Sequence, residues 1–219
     1  MEKLTNAVIK LTDLVAKLAD MYNSSPLINK KLGNLLIKEK IFITGTGRCG
    51  TTFLIKLFTF LDYDTGFNTE NYQEYIFEKC NSGMEKPYTA NNYILKNPEF
   101  LTQIEDIRKH NITIKYVILP IRDYKTSALS RVSHDRKCGG LWCAYDEHSQ
   151  INFYKEIMAN YIYLMTKYEI NTIFIDFDKM ICSKEYLFDK LKNIMDEKEI
   201  SFEFFSKKYD EVTLTSKPK

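Results

Sequence analysis

The stretch Gly45-Thr46-Gly47-Arg48-Cys49-Gly50-Thr51-Thr52 concentrates residue types that hold an anion. Gly45 and Gly50 have the spacing of the outer glycines of a phosphate-binding loop. Between a strand and a helix, such a loop aims several backbone N–H groups and a helix N-terminus at one negative group. The hydroxyls of Thr51 and Thr52 add donors. A loop built for a nucleoside triphosphate ends in Gly-Lys-Ser/Thr, with the lysine on the terminal phosphates. Here Thr51 stands where that lysine belongs, and the cation has moved to Arg48. Phosphoryl transfer from a triphosphate leans on that lysine and on Mg²⁺. A sulfuryl group carries less charge, so fixed donors and one cation suffice for it without a metal.

A second cationic position lies far along the chain. Tyr116-Val117-Ile118-Leu119 runs into Pro120-Ile121-Arg122-Asp123, and Ser130 follows Arg122 by eight residues. Two helical turns bring Ser130 back over the end of the strand that carries Arg122. Arginine offers a planar fork to phosphate oxygens and serine adds one donor. Lys96 closes another apolar run, Tyr93-Ile94-Leu95, where it either faces a ligand or reaches out to solvent. Glu70 and Glu74 follow the short segment Tyr63 to Phe67, read as a strand that leaves Glu70 at the ligand edge. The alternative is a pair of solvated carboxylates at a helix start.

These positions need a scaffold. Ile41 to Thr44, Tyr93 to Leu95, Tyr116 to Leu119 and Thr172 to Ile175 read as buried strands. Helical stretches separate them: Thr51 to Leu61, Pro98 to Ile107, Tyr124 to Ser133 and Gln150 to Tyr168. In the last, Ile151, Tyr154, Met158, Tyr161 and Met165 form one stripe. Continuous apolar strands alternating with amphipathic helices predict an α/β fold, its parallel sheet covered on both faces. Ligands then bind beyond the carboxyl ends of the strands. Ahead of this lies an N-terminal helical segment, residues 1–36. Leu4, Val8, Leu11, Val15, Leu18 and Tyr22 form a heptad seam, ended by Asn23-Ser24-Ser25-Pro26. That helix either packs on its own domain, residues 37–219, or mediates homo-oligomerisation.

Composition narrows the function classes. A net charge of +2 over 219 residues does not make a general nucleic-acid binder. No apolar run reaches membrane-spanning length, and the Met-Glu-Lys start lacks a secretory apolar core. Five cysteines without framework spacing suggest free thiols in a reducing cytoplasm.

Arg48-Cys49-Gly50-Thr51-Thr52-Phe53-Leu54 resembles the 5′-phosphosulfate loop of sulfotransferases that use 3′-phosphoadenosine 5′-phosphosulfate (PAPS). Arg122 with Ser130 is similar to that family's 3′-phosphate site, and Phe174 to Met180 is a looser echo of its late strand and acidic segment. The segment departs from the family where proline and a second arginine often stand; here they are Tyr124 and Ser127. The resemblance implies a three-layer P-loop-type fold with a central mainly parallel sheet. It implies a PAPS donor, no metal, and a hydroxyl or amine acceptor, either a carbohydrate or another small molecule. Gly47, Arg48, Cys49, Gly50, Thr51, Thr52, Arg122 and Ser130 are then expected to bind the cofactor. Arg48 assists the leaving group, Lys96 the sulfuryl side, and Glu70, or next Glu74, serves as general base.

Other patterns keep two readings. Asp178 is either part of a strand-end acidic site or the cap of the helix after it. His134, Cys138, Cys143 and His148 lack zinc spacing. Arg136 to Trp142 reads as a loop over the nucleotide, with Trp142 either stacking on ligand or anchoring the core. The competing functions are a P-loop kinase or NTPase, weakened by the missing lysine, and a non-catalytic nucleotide-binding module. Acceptor specificity is expected in residues 62–92 and 134–150, which include Tyr63, Tyr72, Tyr75, Tyr88 and Tyr145.

Overall fold

The computed structural model describes residues 39–77, 79–135 and 138–216. The heptad helix, and any association through it, falls outside the described residues.

The first strand, Glu39–Ile43 (β1), leads through the glycine loop into helix Thr51–Phe60 (α1). A 3-10 turn, Tyr72–Tyr75, precedes a small antiparallel hairpin of Ile76–Phe77 (β2) and Ser82–Gly83 (β3). Then come Ile94–Lys96 (β4), Phe100–Lys109 (α2), Thr113–Ile121 (β5), Tyr124–Val132 (α3), Glu147–Lys167 (α4) and Thr172–Asp176 (β6). Helices Phe177–Cys182 (α5), Lys184–Lys190 (α6), Lys192–Asp196 (α7) and Phe202–Ser216 (α8) complete the described residues.

The main sheet has the order β4-β1-β5-β6 with every pair parallel. Side chains alternate across it. Ile41, Ile43, Ile94 and Ile118 pack against apolar residues of α1, α6, α7 and α8. Phe42, Leu95, Val117 and Leu119 face the other way, onto Phe100, Ile104 and Ile107 of α2 and Ile157 and Tyr161 of α4. Both faces are covered, which explains why the strands read as unbroken apolar runs. The α/β architecture with a parallel central sheet is as expected.

The chain leaves β1 for β4 on one side, then crosses to β5 on the other. The crevice at a switch of this kind opens beyond the carboxyl ends of the strands it separates, here β1 and β5. The glycine loop follows β1, and Arg122 follows β5.

Two local expectations fail. Residues 63–67 form no strand, although Tyr63, Thr65 and Phe67 are buried in alternation with exposed Asp64 and Gly66. Gly66 takes φ 75 and breaks the extended backbone. Only the Asp64 carbonyl reaches the sheet, accepting from the amides of Tyr93 and Ile94, each at 3.0 Å. The cap of α5 is Asp176, which accepts from the Lys179 amide at 2.9 Å, while Asp178 lies in the first turn.

Candidate functional site

The loop after β1 winds through left-handed conformations, with φ 84 at Gly47, 57 at Arg48 and 89 at Gly50. Successive amides in such a path form a concave donor set. Gly47 has no room for a side chain, since a Cβ there would lie 2.1 Å from Arg131 Nη2. Gly50 caps α1 without a side-chain hydrogen bond, so the first amides of that helix receive no side-chain acceptor. Cys49 lies beneath the loop, fully buried, and burial pushes its thiol pKa up.

Three guanidinium groups gather around this loop. Arg48 donates from Nε to Ser130 Oγ at 3.0 Å and from Nη1 to the Cys80 carbonyl at 2.8 Å. Arg122 donates from Nη1 to the Arg48 carbonyl at 3.0 Å, and its guanidinium lies 4.5 Å over the Phe177 ring. Its Nε is buried and lacks a hydrogen-bond partner. Arg131 holds Tyr154 Oη at 2.7 Å, the carbonyls of Gly139 and Gly140 at 3.0 and 2.7 Å, and that of Thr46 at 3.3 Å. All these acceptors are neutral. Burial lowers the Arg48 pKa, and the charges of Arg131 and Arg122 push it the same way.

Lys96, at the end of β4, is 4% exposed. Its Nζ donates to Thr52 Oγ1 at 2.8 Å, to the Gly83 carbonyl at 2.6 Å and to Glu85 Oε1 at 2.8 Å. Burial depresses its pKa, and the Glu85 carboxylate opposes that shift. This ammonium therefore joins the helix start, the β2–β3 hairpin and the sheet.

A cavity of about 740 Å³ opens among these groups. Gly47, Arg48, Gly50, Thr51, Thr52, Lys96 and Arg122, all expected at the site, line it together. Cys49 and Ser130 stand behind the wall, the first under the loop and the second on Arg48. Glu70 and Glu74 are exposed and outside the cavity. Without a strand at 63–67, nothing carries Glu70 to the sheet edge. Among the described residues, the carboxylate that does line the cavity is Glu85, 43% exposed at its side chain. Four cations, Arg48, Lys96, Arg122 and Arg131, thus share the lining with one acid among the described residues.

Of the tyrosines expected in specificity loops, Tyr63 and Tyr72 are core residues. Trp142 is not in the cavity lining; it packs edge-on against Phe153 at 5.2 Å on the α2–α4 side of the sheet, with the Arg131 guanidinium 5.5 Å from its ring centre. Among the described residues, no three His, Cys, Asp or Glu side chains group as metal ligands. No helix among them is long and apolar enough to cross a membrane.

Sequence reasoning missed Arg131 and Glu85. Arg131 follows Ser130 directly and falls four residues after Ser127, on the buried face of α3. An arginine on a helix's inward face was the available signal. Glu85 had none, because only the fold brings it to Lys96. Comparison of the chain with protein-family models, curated proteins and solved structures finds no match in any of the three.

Proposed function

We propose that this chain is a P-loop-type sulfotransferase that moves a sulfuryl group from PAPS to a hydroxyl or amine acceptor. The observation that carries the reading is the convergence of Arg48 and Arg122 on one cavity. Among the described residues, that cavity is lined by four cations and one acid, and it is entered by a helix start without a side-chain cap. Such an excess of fixed positive charge suits a ligand anionic at more than one point. The buried, partnerless Arg122 Nε marks a donor still to be satisfied.

PAPS, when bound, supplies the sulfuryl group and a leaving 5′-phosphate. Amides of the glycine loop, with Thr51 and Thr52, hold the 5′ end. Arg48 and Lys96 stabilise the negative charge that grows on the leaving oxygen. Arg122 takes the 3′-phosphate, and Ser130 fixes Arg48 from behind. Glu85 replaces Glu70 as the general base and accepts the acceptor's proton. Its ion pair with Lys96 also fixes where that carboxylate stands.

A thermal-shift series tests the reading. Protection by 3′-phosphoadenosine 5′-phosphate without Mg²⁺ is expected. Protection by Mg-ATP alone would replace the proposal with a kinase or NTPase. Transfer from sulfate-labelled PAPS to a panel of sugars, phenols and amines separates an enzyme from a binding module.

A further inference from the structure

A lysine ammonium has three N–H donors and no more. Lys96 has committed all of them: to Thr52 Oγ1 at 2.8 Å, to the Gly83 carbonyl at 2.6 Å and to Glu85 Oε1 at 2.8 Å. Lys96 and Thr52 both line the cavity, with the start of α1. An anion arriving at this ammonium finds no N–H left, so it must displace one of the three acceptors.

The three differ in what their loss costs. Gly83 and Thr52 are buried, and a carbonyl or hydroxyl stripped of its donor there is not rescued by water. The Glu85 side chain is 43% exposed, so water solvates it on release. Charge selects the same partner. Glu85 supplies the counter-charge for an ammonium that is only 4% exposed. An incoming anion supplies that counter-charge itself, and it repels a carboxylate held on the same nitrogen.

Glu85 can leave without unfolding its segment. Its backbone bridges in parallel to that of Lys96, and the Lys86 amide donates to the Lys96 carbonyl at 3.0 Å. The Met84 amide is held by the Tyr75 carbonyl at 3.0 Å. Side-chain rotation of Glu85 alone breaks the pair.

We propose that Lys96 exchanges Glu85 for the incoming anion, so that filling the anion site sets this carboxylate free. No proton moves; one N–H changes its acceptor. The exchange itself requires only an anion at Lys96. Its consequence rests on the sulfotransferase reading. The carboxylate assigned as general base stays tied to Lys96 until the donor is in place, so an acceptor loses its proton only beside a bound donor. The Lys96–Glu85 pair thus sets the order of events, donor first and deprotonation second.

Carboxyl labelling of the full chain with a carbodiimide and an amine, followed by peptide mass mapping, tests the exchange. The probes are 3′-phosphoadenosine 5′-phosphate and inorganic pyrophosphate, each at a concentration that calorimetry shows to be saturating. Labelling of Glu85 should rise several-fold with either probe, while that of the exposed Glu70 and Glu74 stays constant. A crystal structure of either complex should show Lys96 Nζ on the anion and off Glu85. A bound probe with the Lys96–Glu85 pair intact, or without the rise in labelling, would overturn the exchange and leave the sulfotransferase reading standing. Release of Glu85 by pyrophosphate, with no binding of the nucleotide, would keep the exchange and overturn that reading. Binding of neither probe would overturn both.

Discussion

Arg122 Nη1 donates to the main-chain carbonyl of Arg48 at 3.0 Å, so the guanidinium after β5 is fixed to the backbone of the loop after β1. The two arginines are 74 positions apart in the chain and still act as parts of one site. Substituting Arg122 therefore releases the backbone at Arg48, whereas substituting the Arg48 side chain leaves that carbonyl in place.

Arg122→Ala removes both the tie to Arg48 and the donor Nε. Affinity for 3′-phosphoadenosine 5′-phosphate should fall by about 2–5 kcal/mol, the usual scale for losing one partner of a desolvated charge pair. Titration calorimetry measures it. Unaltered affinity would remove Arg122 from the ligand site.

Glu85→Gln should slow sulfuryl transfer while leaving nucleotide affinity nearly intact, because the base acts on the acceptor. Glu70→Gln should leave both unchanged, since Glu70 is exposed and outside the cavity. Steady-state rates for the two variants decide between the carboxylates. The reverse pattern would return the base to Glu70.

Lys96→Met strands the Gly83 carbonyl and the Glu85 carboxylate at once. Breaking a fully buried pair costs about 3–5 kcal/mol, but Glu85 is 43% exposed and water takes over part of its loss. A destabilisation of about 1–3 kcal/mol is expected from urea unfolding. The wild-type ammonium also sets a pH limit. Its pKa lies below the ordinary 10.5, so anion affinity should decline on the alkaline side before an unperturbed lysine would titrate. Binding measured across alkaline pH checks this.

Gly47→Ala should destabilise by about 1–3 kcal/mol, through backbone strain at φ 84 and a clash with Arg131. Since Arg131 ties the loop to Gly139 and Gly140, anion affinity should drop with it. Thermal denaturation and ligand titration on one sample measure both.

Stability should fall at alkaline pH. The Tyr161 hydroxyl, bonded to Thr44 at 2.6 Å, is held protonated far above its ordinary 10.0, chiefly by burial. Tyr63 is shifted the same way. The unfolded chain then releases these protons first. Each contribution is present below pH 10 and diminishes as pH rises beyond it. Urea midpoints at pH 8 and above 10 test the slope, and Tyr161→Phe should flatten it.

The sheet was legible because strands buried on both faces leave unbroken apolar runs, and Ile41 to Thr44 or Tyr116 to Leu119 has no other use for such a run. The glycine loop and Arg122 were legible because each directly succeeds a strand in the chain, and the end of a strand is where a sheet of this kind presents its ligand groups. Residues 63–67 misled for a physical reason: burial alternates there as in a strand, but alternation does not supply ladder partners. Glu85 was hidden because its meaning comes from Lys96 on a strand that the chain reaches only after a detour. Arg131 was hidden in plain periodicity, where a buried helix position is assumed apolar until a cation with carbonyl partners is seen in it.

Arg48 holds φ 57, a conformation that glycine or asparagine adopts with less strain. Glycine there would relax the turn but give up the side-chain bonds to Ser130 and to the Cys80 carbonyl. Glutamine would retain a donor for such bonds without the charge. Among descendants of this sequence, arginine kept over uncharged donors at this position would gauge how strongly the anion, rather than the scaffold, is being selected.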